Sequence, residues 1–452
     1  MGENVRFSVG RVTRFYIPLL IQAFSQSLSY PLVAGIVTHG KHGVDGLAAF
    51  CQGLMIMFMV GSFGLGLVTT GMIFAKTWFG YLSFRRLNSI MMALLIVVQL
   101  IPVVDPIATW VFGGLFGLSG PLIEVARQTL LYGSVINVAF FARNVPMAIL
   151  FNNLQSGKAN RATLLRIVLT FALTVVLPRM GLTGAVWGIF TLAVGAWVET
   201  LLTWVYARPY VKLLPKCNCA SGVECPSPLA MLAEQVRFTL PLSLGGFLLS
   251  CSPLIVAAFV SRSANAADML AIHYITIGVA NPVAFGALRM QTVAVEFPQE
   301  YPGDRRLLWY AIVAGLLLGV IPLILSTPYV GNWYFGVFQN APERIVETSR
   351  LAIGIYSLIC VIHAVRARIE GIAAVRRRPQ AVMCGQVAYT ISIFVVCAIL
   401  LSLGVQGWIM AITAIFVAPM CVAASVYAAL WLGNRRERMV ARKGIEPLTL
   451  GL

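Results

Sequence analysis

The chain has 452 residues, of which 59% are hydrophobic and 11% are Asp, Glu, Lys or Arg, with a formal net charge of +17. Its mean hydropathy of +0.85 lies far above that of ordinary soluble domains. This composition excludes a soluble globular domain and predicts a protein that crosses a membrane many times.

Apolar runs of about 20 residues, the length that crosses a bilayer as a helix, recur along the chain with short polar breaks. An open sheet leaves backbone groups unsatisfied in lipid, and the runs are too evenly apolar for barrel strands, so helices remain. The sequence predicts an all-α polytopic membrane protein with about twelve transmembrane helices in two pseudo-symmetric six-helix lobes. The predicted spans are 14–38, 44–75, 88–112, 124–153, 162–180, 182–207, 236–261, 268–297, 307–331, 345–374, 381–402 and 405–432.

The two sets of six spans repeat each other in sequence. Gly181 and Gly184 recur as Gly404 and Gly407, 223 positions later, and Arg143 recurs as Arg366 at the same displacement. The same offset relates further residues: Asp45 to Asp268, Phe112 to Phe335, Glu124 to Glu347, and Arg127 to Arg350. Duplicated membrane units of this kind are typical of transporters, and an even number of spans in each half predicts parallel repeats.

The repeat sets the predicted domain organisation. An N-terminal lobe covers 1–210, a cytoplasmic linker 211–233, a C-terminal lobe 234–433 and a basic cytoplasmic tail 434–452. The linker contains Cys217, Cys219 and Cys225, which either bind a soft metal or form part of a reduced loop. A thiol site usually has four ligands and no histidine stands nearby, so we predict no metal site.

Basic residues concentrate in alternate breaks, which indicates membrane orientation and argues against nucleic-acid binding. This distribution predicts a multi-pass protein of the cell membrane, plasma or inner, with both termini in the cytoplasm. The cytoplasmic set includes Arg11, Arg14, Lys76, Arg85, Arg86, Lys158, Arg161, Lys212, Arg305, Arg306, Arg376, Arg377, Arg378, Arg435 and Arg436.

The opening helix of each lobe carries two prolines, and each proline removes a helical hydrogen bond. Pro18 and Pro31 lie in the first span, and Pro241 and Pro253 lie in the seventh. They act either as hinges or as static kinks that help the lobes to pack. On the first helix, a polar face predicts contact with a cavity or with partner helices; it comprises Gln22, Ser25, Gln26 and Ser29.

Ionisable side chains inside membrane spans are functional candidates. Arg143 and Arg366 are repeat equivalents well inside their spans, where their forked donors suit carboxylate or phosphate. The alternatives are an i,i+4 ion pair between Arg366 and Glu370, and for Arg143 a bond to Asn144 or a neighbouring helix. His363, one turn before Arg366, and Arg289 are weaker candidates for substrate contact.

Two further polar residues lie within the spans. Asn137 either lines the cavity or bonds between helices, and Asn281 is expected to bond between helices. Glu199 either binds H⁺ or Na⁺ as a coupling site or pairs with an arginine of another span. The sequence has no P-loop, metal-binding His-Glu pattern or nucleophile elbow, so we predict no enzyme activity and no cofactor.

Twelve spans in two halves, each with a proline-broken first helix, resemble the exporter superfamily of multidrug and toxic compound extrusion (MATE) proteins and polysaccharide or lipid-linked oligosaccharide flippases (MOP). Within it, the stretches 365–377 and 403–407 are similar to the progressive ankylosis protein family. The resemblance implies a two-lobed alternating-access exporter, and the family branch implies small anions such as pyrophosphate, citrate or nucleotides. Arg366 matches that family's intramembrane arginine. The first helix lacks the aspartate of cation-coupled drug exporters.

We therefore predict a transporter that exports a small anionic or amphiphilic solute through a central cleft between the lobes. Its expected partners are membrane lipids, the solute and a coupling H⁺ or Na⁺. One alternative is a flippase for a lipid-linked oligosaccharide or polysaccharide, whose phosphate would use the same arginines. Another is a non-transporting scaffold or receptor built on a transporter fold.

Overall fold

The computed structural model describes residues 7–118, 120–216, 228–301, 303–339 and 342–442, except for the side chains of 26, 28–31, 44, 115, 228, 229, 267, 338 and 433–442. The described part of the chain is built from helices and contains no strand. This confirms the predicted all-α class.

The first half of the chain contains seven α-helices. They are α1 (Val9–Thr38), α2 (Gly43–Gly61), α3 (Leu65–Phe74), α4 (Trp78–Leu100), α5 (Pro121–Asn152), α6 (Ser156–Arg179) and α7 (Ala185–Lys212). A 3₁₀ turn at Ser62–Gly64 joins α2 to α3, so that the two form one span. A second 3₁₀ turn, Ile101–Val103, extends α4, and a π-helix, Thr109–Leu115, precedes α5.

The second half contains nine α-helices. They are α8 (Pro228–Val260), α9 (Ala266–Leu288), α10 (Met290–Glu296), α11 (Arg306–Ser326), α12 (Pro328–Gly331), α13 (Glu343–Tyr356), α14 (Ile359–Val375), α15 (Pro379–Ser402) and α16 (Gly407–Arg442). A π-helix, Asn332–Phe338, follows α12. Helices α9 with α10, and α13 with α14, each make one span.

Among the described residues, eleven spans are long and apolar enough to cross a membrane, and they match the predicted spans from the second to the twelfth. Helix α1, with 30 residues, covers the first predicted span and is about 45 Å long at 1.5 Å per residue. The third span begins at Trp78 rather than at the predicted 88, because the Thr77 hydroxyl accepts a hydrogen bond from the Gly80 N–H. Arg85 and Arg86 are therefore helical and do not lie in a loop.

The internal repeat is visible in the backbone. The π-helices Thr109–Leu115 and Asn332–Phe338 stand 223 positions apart, the same displacement as the sequence motifs. Arg127 donates to Asp105, shortly before the first π-helix, and its equivalent Arg350 donates to Asn332, which begins the second. Each copy thus uses the arginine at one position to hold the segment that leads into a π-helix.

The chain divides into two compact units. The first unit is Ser25–Phe247, and the second unit is Met1–Phe24 together with Leu248–Leu452. The two points at which the chain changes unit, 24/25 and 247/248, are themselves 223 positions apart. The unit boundaries therefore fall inside α1 and α8, whereas the sequence predicts lobes of 1–210 and 234–433.

Within the second unit, α11 packs closely on α14 through glycines. A Cβ added to Gly315 would lie 2.5 Å from the Val361 Cα, and one added to Gly319 would meet the Ser357 carbonyl oxygen. Small residues allow such approaches in membrane proteins, where close packing replaces the hydrophobic effect as the main attraction between helices. The opposing backbone is that of α14 at Gly315 and that of the residues just before α14 at Gly319, so α11 has little room to adjust.

We expect Gly315→Ala to destabilise the protein by about 1–3 kcal/mol, because the added methyl group forces α11 away from α14. The matched control is Gly278→Ala in α9, where an added Cβ meets nothing within 4 Å. Thermal unfolding of both variants in detergent measures the effect. Equal unfolding midpoints for the two variants would contradict the close packing at Gly315.

An ion cluster precedes α11. The Arg306 guanidinium donates to both oxygens of Asp304 at 3.0 Å and pairs with Glu300 at 2.9 Å. The Phe7 N–H donates to Glu300, and the Phe7 ring lies under the Arg306 guanidinium at 5.4 Å. The hydrogen bonds from Arg306 lower the pKa of Asp304 to about 2. The cluster holds the residues before α1 against the start of α11.

Because the pKa of Asp304 falls on folding from 3.8 to about 2, the stability it contributes is present above about pH 4 and is lost as the pH falls towards 2. We expect Asp304→Asn to lower the unfolding temperature at pH 6. The difference between the wild type and this variant should shrink between about pH 4 and pH 2. A difference that stays constant over this range would contradict the ion pair as its source.

Candidate functional site

The first unit buries an ion triad between three helices. Arg143 on α5 and Arg166 on α6 both contact the Glu199 Oε2 atom on α7, at 2.7 Å and 3.0 Å. The Thr163 hydroxyl, one turn before Arg166, donates to Glu199 Oε1. The Glu199 side chain is fully buried, that of Arg166 is 5% exposed and that of Arg143 is 13% exposed. Charges at this depth persist only when they are paired.

The triad carries more positive than negative charge, with two guanidinium groups on one carboxylate. The other acidic residues described in the first unit lie elsewhere: Asp45 and Glu234 are exposed, and Asp105 and Glu124 pair with Arg127. The Phe140 ring faces the Arg143 guanidinium at 5.0 Å and offsets part of the surplus. The buried Arg143 Nε has no hydrogen-bond partner. The triad is therefore a partly exposed cationic centre.

The second unit buries a balanced cluster. The Arg366 Nε on α14 donates to Glu370 Oε1 at 2.9 Å, one turn along the same helix. The Arg366 Nη2 donates to Gln386 on α15 at 3.0 Å, and the Gln386 amide donates to the same Glu370 oxygen. The Tyr389 ring faces the Arg366 guanidinium at 5.0 Å. One cation faces one anion, so this cluster has no surplus charge.

The two clusters use the same positions of the repeat. Arg143 corresponds to Arg366, and the displacement of 223 also relates Thr163 to Gln386 and Arg166 to Tyr389. In each copy, the arginine and the residues at these two positions of the next long helix form one cluster. The carboxylate differs, because Glu199 comes from α7 and Glu370 from α14 itself.

The structure shows the alternative partners for three predicted residues. Arg366 makes the i,i+4 pair with Glu370, and Glu199 pairs with arginines from two other spans, one of which is Arg143. Arg143 and Arg366 belong to different units, so contact of both with one solute stays a prediction. Because Glu199 already accepts bonds from three side chains, the triad favours a fixed carboxylate over a coupling site for H⁺ or Na⁺.

The remaining polar predictions fall in different places. His363 is buried on α14, Gln22 is buried in α1, and Arg289 is half-buried between α9 and α10. The Asn137 amide donates to the Met57 carbonyl at 3.0 Å and to Gln99 Oε1 at 2.6 Å, which is the bonding between helices left open by the sequence.

The remaining predicted residues concern helix packing and helix kinks, or lie outside the described part of the chain. Asn281, expected to bond between helices, is exposed. Helices α1 and α8 run without interruption through all four predicted hinge positions, namely Pro18, Pro31, Pro241 and Pro253. The side chains of Gln26 and Pro31, and all of Cys217, Cys219 and Cys225, lie outside the described residues.

Sequence reasoning missed Arg166, Gln386 and Tyr389. Arg166 lies only five residues after Arg161, near the start of a span. Hydropathy therefore did not distinguish it from the basic residues of the break before that span. The displacement of 223 relates Thr163 to Gln386 and Arg166 to Tyr389. A comparison of the two copies position by position therefore identifies all three residues. A search for polar residues at equivalent positions would have found the second helix of each cluster.

Comparison with known proteins places this fold in a class. The sequence matches no protein-family model, and no curated protein matches it. Solved structures match it over nearly its whole length, and among them are transporters of the MOP superfamily and of the MATE family. A MOP superfamily transporter from Pyrococcus furiosus, for which a reverse polarity of the binding pocket suggests a different function, superposes with a TM-score of 0.69 at 15% identity, covering 93% of this chain and 95% of that chain.

MATE transporters match as well. The Vibrio cholerae transporter VcmN in its bent form gives a TM-score of 0.68 at 14% identity, covering 94% of this chain and 98% of that chain. A multidrug resistance MATE family transporter in an outward-facing conformation gives 0.63 at 18% identity, with 96% of both chains covered. The chain is a multi-pass membrane protein with the fold of MOP superfamily transporters. The predicted resemblance to this superfamily is confirmed at the level of the fold.

We expect Glu199→Gln to destabilise the protein by about 3–5 kcal/mol, because it leaves two buried guanidinium groups without a counter-charge. The control is Asp268→Asn, which breaks the exposed pair with Arg344 and should cost less than about 1 kcal/mol. Unfolding in detergent provides the measurement. Adding Arg166→Met to Glu199→Gln should restore part of the loss; a double variant less stable than Glu199→Gln would contradict charge imbalance as the cause.

Proposed function

We propose that this protein is an alternating-access transporter that exports a small anionic or amphiphilic solute through a central cleft between two lobes. The observation that carries the proposal is the surplus positive charge on the triad of Arg143, Arg166 and Glu199, in a fold whose solved examples are transporters. A partly exposed cationic centre at membrane depth attracts an anion, because its low-dielectric surroundings screen the charge weakly.

The fold supports transport, and two of its solved examples bear on the solute. One is a multidrug resistance transporter, and in another a reverse polarity of the binding pocket suggests a different function. Here, two buried arginines share one carboxylate in the triad. This surplus of positive charge favours a negatively charged solute. The resemblance to the progressive ankylosis family points to the same class, with pyrophosphate, citrate or a nucleotide as candidates.

Arg143 is the residue we propose for direct contact with the solute. It is the most exposed member of the triad, and its Nε has no hydrogen-bond partner. Arg366 has its charge balanced by Glu370, so we propose that it contacts the solute only when that pair opens. The remaining proposed contacts are His363, Arg289, Gln22, Gln26 and Asn137.

The proposed movement is supported by chain connectivity. The chain changes unit at two points, inside α1 and α8, and these points are repeat equivalents. In α1 the point lies between Pro18 and Pro31, and in α8 between Pro241 and Pro253. A proline lacks one helical hydrogen bond, which lowers the cost of bending there. We propose these four prolines as the hinges of alternating access.

We propose that the protein lies in the cell membrane with both termini in the cytoplasm, on the basis of the basic residues in alternate breaks.

A flippase for a lipid-linked oligosaccharide would present its phosphate to the same cationic centre. A scaffold that moves no solute has no use for a surplus charge, which costs free energy to bury.

Uptake of radiolabelled citrate, pyrophosphate and ATP into proteoliposomes tests the proposal. We expect the wild type to transport at least one of these anions, and Arg143→Gln to reduce that transport at least about tenfold, the loss of a charge-assisted contact of about 1.5 kcal/mol. Arg344→Gln is the matched control, because Arg344 is 71% exposed in its side chain and pairs only at the surface.

The outcomes separate the alternatives. Transport that is unchanged in Arg143→Gln removes Arg143 from the solute path. No transport of the three anions, together with translocation of a fluorescent lipid diphosphate, favours the flippase. An inactive protein in both assays favours the scaffold.

A further inference from the structure

The two π-helices carry the same residues at three positions. These are Trp110, Phe112 and Gly113 in Thr109–Leu115, and Trp333, Phe335 and Gly336 in Asn332–Phe338. π-helices are rare, and they occur frequently at functional sites. Each copy of the repeat therefore has an uncommon helix with a tryptophan in it, and the proposed transport path uses neither.

The phenylalanine and the tryptophan of each π-helix lie on opposite sides. Phe112 and Phe335 are fully buried, and Phe112 belongs to the apolar core of the first unit. Trp110 is 69% exposed and Trp333 is 57% exposed. Packing within the protein accounts for the phenylalanine at each position but not for the tryptophan. An indole left in water exposes a large apolar surface, which costs free energy.

Each tryptophan is part of a stripe of exposed apolar side chains. The first stripe comprises Val104, Ile107 and Trp110, and the second stripe comprises Tyr329, Trp333 and Val337. In the second stripe, Tyr329 is 90% exposed and Val337 is 71% exposed. Contiguous exposed apolar surface of this kind marks an interaction site.

Each stripe continues the outward face of a membrane span. The exposed apolar side chains near the ends of the spans that contain α4 and α11 are Leu94, Val97, Ile101, Leu317, Val320 and Ile324. The first stripe begins three residues after Ile101, and the second begins five residues after Ile324. Outward apolar side chains of a membrane span contact lipid, because the hydrocarbon surrounds the span over its whole length. The lipid that covers the spans therefore reaches the point at which each stripe begins.

The length of the α4 span places the first stripe at the membrane boundary. Residues 87–104 lie between Arg86 and Asp105, and at 1.5 Å per residue they extend about 27 Å. This length is close to the hydrocarbon thickness of about 30 Å. Arg127 on α5 pairs with Asp105 at 3.0 Å and so fixes the start of the connection at this level. Because the other side of the π-helix is buried in the core, Trp110 stays near the headgroups.

The second copy has the same arrangement. Residues 307–325 lie between Arg306 and Ser326 and extend about 28 Å as a helix. The Arg350 guanidinium donates to the Ser326 carbonyl at 3.3 Å and to Asn332 Oδ1 at 3.0 Å. Arg350 thus holds the end of the span and the start of the π-helix together, as its repeat equivalent does in the first copy.

The charge of the two connections indicates the chemistry of the partner. Residues 104–120 contain one charged side chain, Asp105, and residues 327–342 contain none. Attraction to anionic lipid requires Lys or Arg, which both connections lack. Tryptophan and tyrosine combine an apolar ring with a polar tip, and they favour the boundary between headgroups and hydrocarbon. The stripes therefore fit the interface of a bilayer without help from charge.

We propose that the two π-helices are interfacial anchors, which lie at the headgroup level with Trp110 and Trp333 inserted among the lipids. Each anchor holds the connection between two spans on the bilayer surface, at the end of the spans opposite to Arg86 and Arg306. The buried phenylalanine fixes the π-helix to the protein, and the exposed tryptophan fixes it to the lipid. This role depends on the bilayer alone and is the same in a transporter, a flippase or a scaffold.

The depth of the tryptophans is measured by ¹⁹F NMR of the full chain with fluorotryptophan, in lipid nanodiscs. The two resonances are assigned by their loss in Trp110→Phe and Trp333→Phe, or in the tyrosine variants should these fail to fold. Three relaxation agents are compared: a nitroxide on the lipid headgroup, a nitroxide at the end of the acyl chain, and a gadolinium chelate in water. We expect the headgroup nitroxide to broaden both resonances most.

Trp197 is the matched control, because it lies about 18 Å along α7 from the start of the helix, near the middle of the bilayer. We expect the acyl-chain nitroxide to broaden its resonance most. Strongest broadening of Trp110 or Trp333 by the chelate places that stripe in water, and strongest broadening by the acyl-chain nitroxide places it in hydrocarbon. A resonance that no agent broadens places the stripe under protein, such as a second copy of this chain. Each of these results overturns the anchors.

The contribution of the lipid contact is tested by thermal unfolding in nanodiscs. We expect Trp110→Gln to lower the unfolding temperature and Trp110→Tyr to leave it close to that of the wild type, because tyrosine also favours the interface. Since Trp110 is mostly exposed, neither variant removes much packing within the protein. Equal unfolding temperatures of the two variants overturn the anchoring role of Trp110.

Discussion

Burying a guanidinium group among membrane helices costs free energy, and both copies of the repeat are built so that this cost is offset. An arginine at this depth requires a nearby anion and acceptors for its donors. Arg143 and Arg366 meet this requirement at the same point of each copy, and in both cases the next long helix supplies the neighbouring polar side chains. The cluster therefore ties together helices that have no hydrophobic effect to hold them in lipid.

The two copies satisfy the constraint differently. Glu370 lies one turn after Arg366, so one helix supplies the whole ion pair and the charge is balanced. Glu199 comes from a third helix and holds two arginines, so a positive charge remains. The contrast is reversed at positions 50 and 273, where the first copy has Phe50 in an apolar core and the second copy has the buried His273. Duplication supplied one scaffold, and each copy then acquired a different polar interior.

Local patterns made most of the fold predictable. Hydropathy depends on neighbouring residues, and each predicted span from the second to the twelfth overlaps a helix of the structure. The third span differs most: the Thr77 cap extends the helix before its apolar run, and the span ends at Val103 rather than at 112. The Arg366–Glu370 pair was also visible, because residues four apart share a helix face. The contact of Arg166 with Glu199 was not, since the two are 33 residues apart and meet only through the rotation of α6 against α7. The π-helices likewise carry no local signal in hydropathy.

The unit boundaries add a constraint that hydropathy does not express. Each opening helix begins in the unit formed mainly by the other half of the chain and changes unit at an equivalent residue, Phe24 in α1 and Phe247 in α8. Because the chain passes between units only at these two points, any relative movement must be accommodated within these helices. A loop would absorb such movement anywhere along its length, whereas a helix concentrates it where a hydrogen bond is missing. The prolines on both sides of each crossing are therefore the positions on which the proposed movement depends.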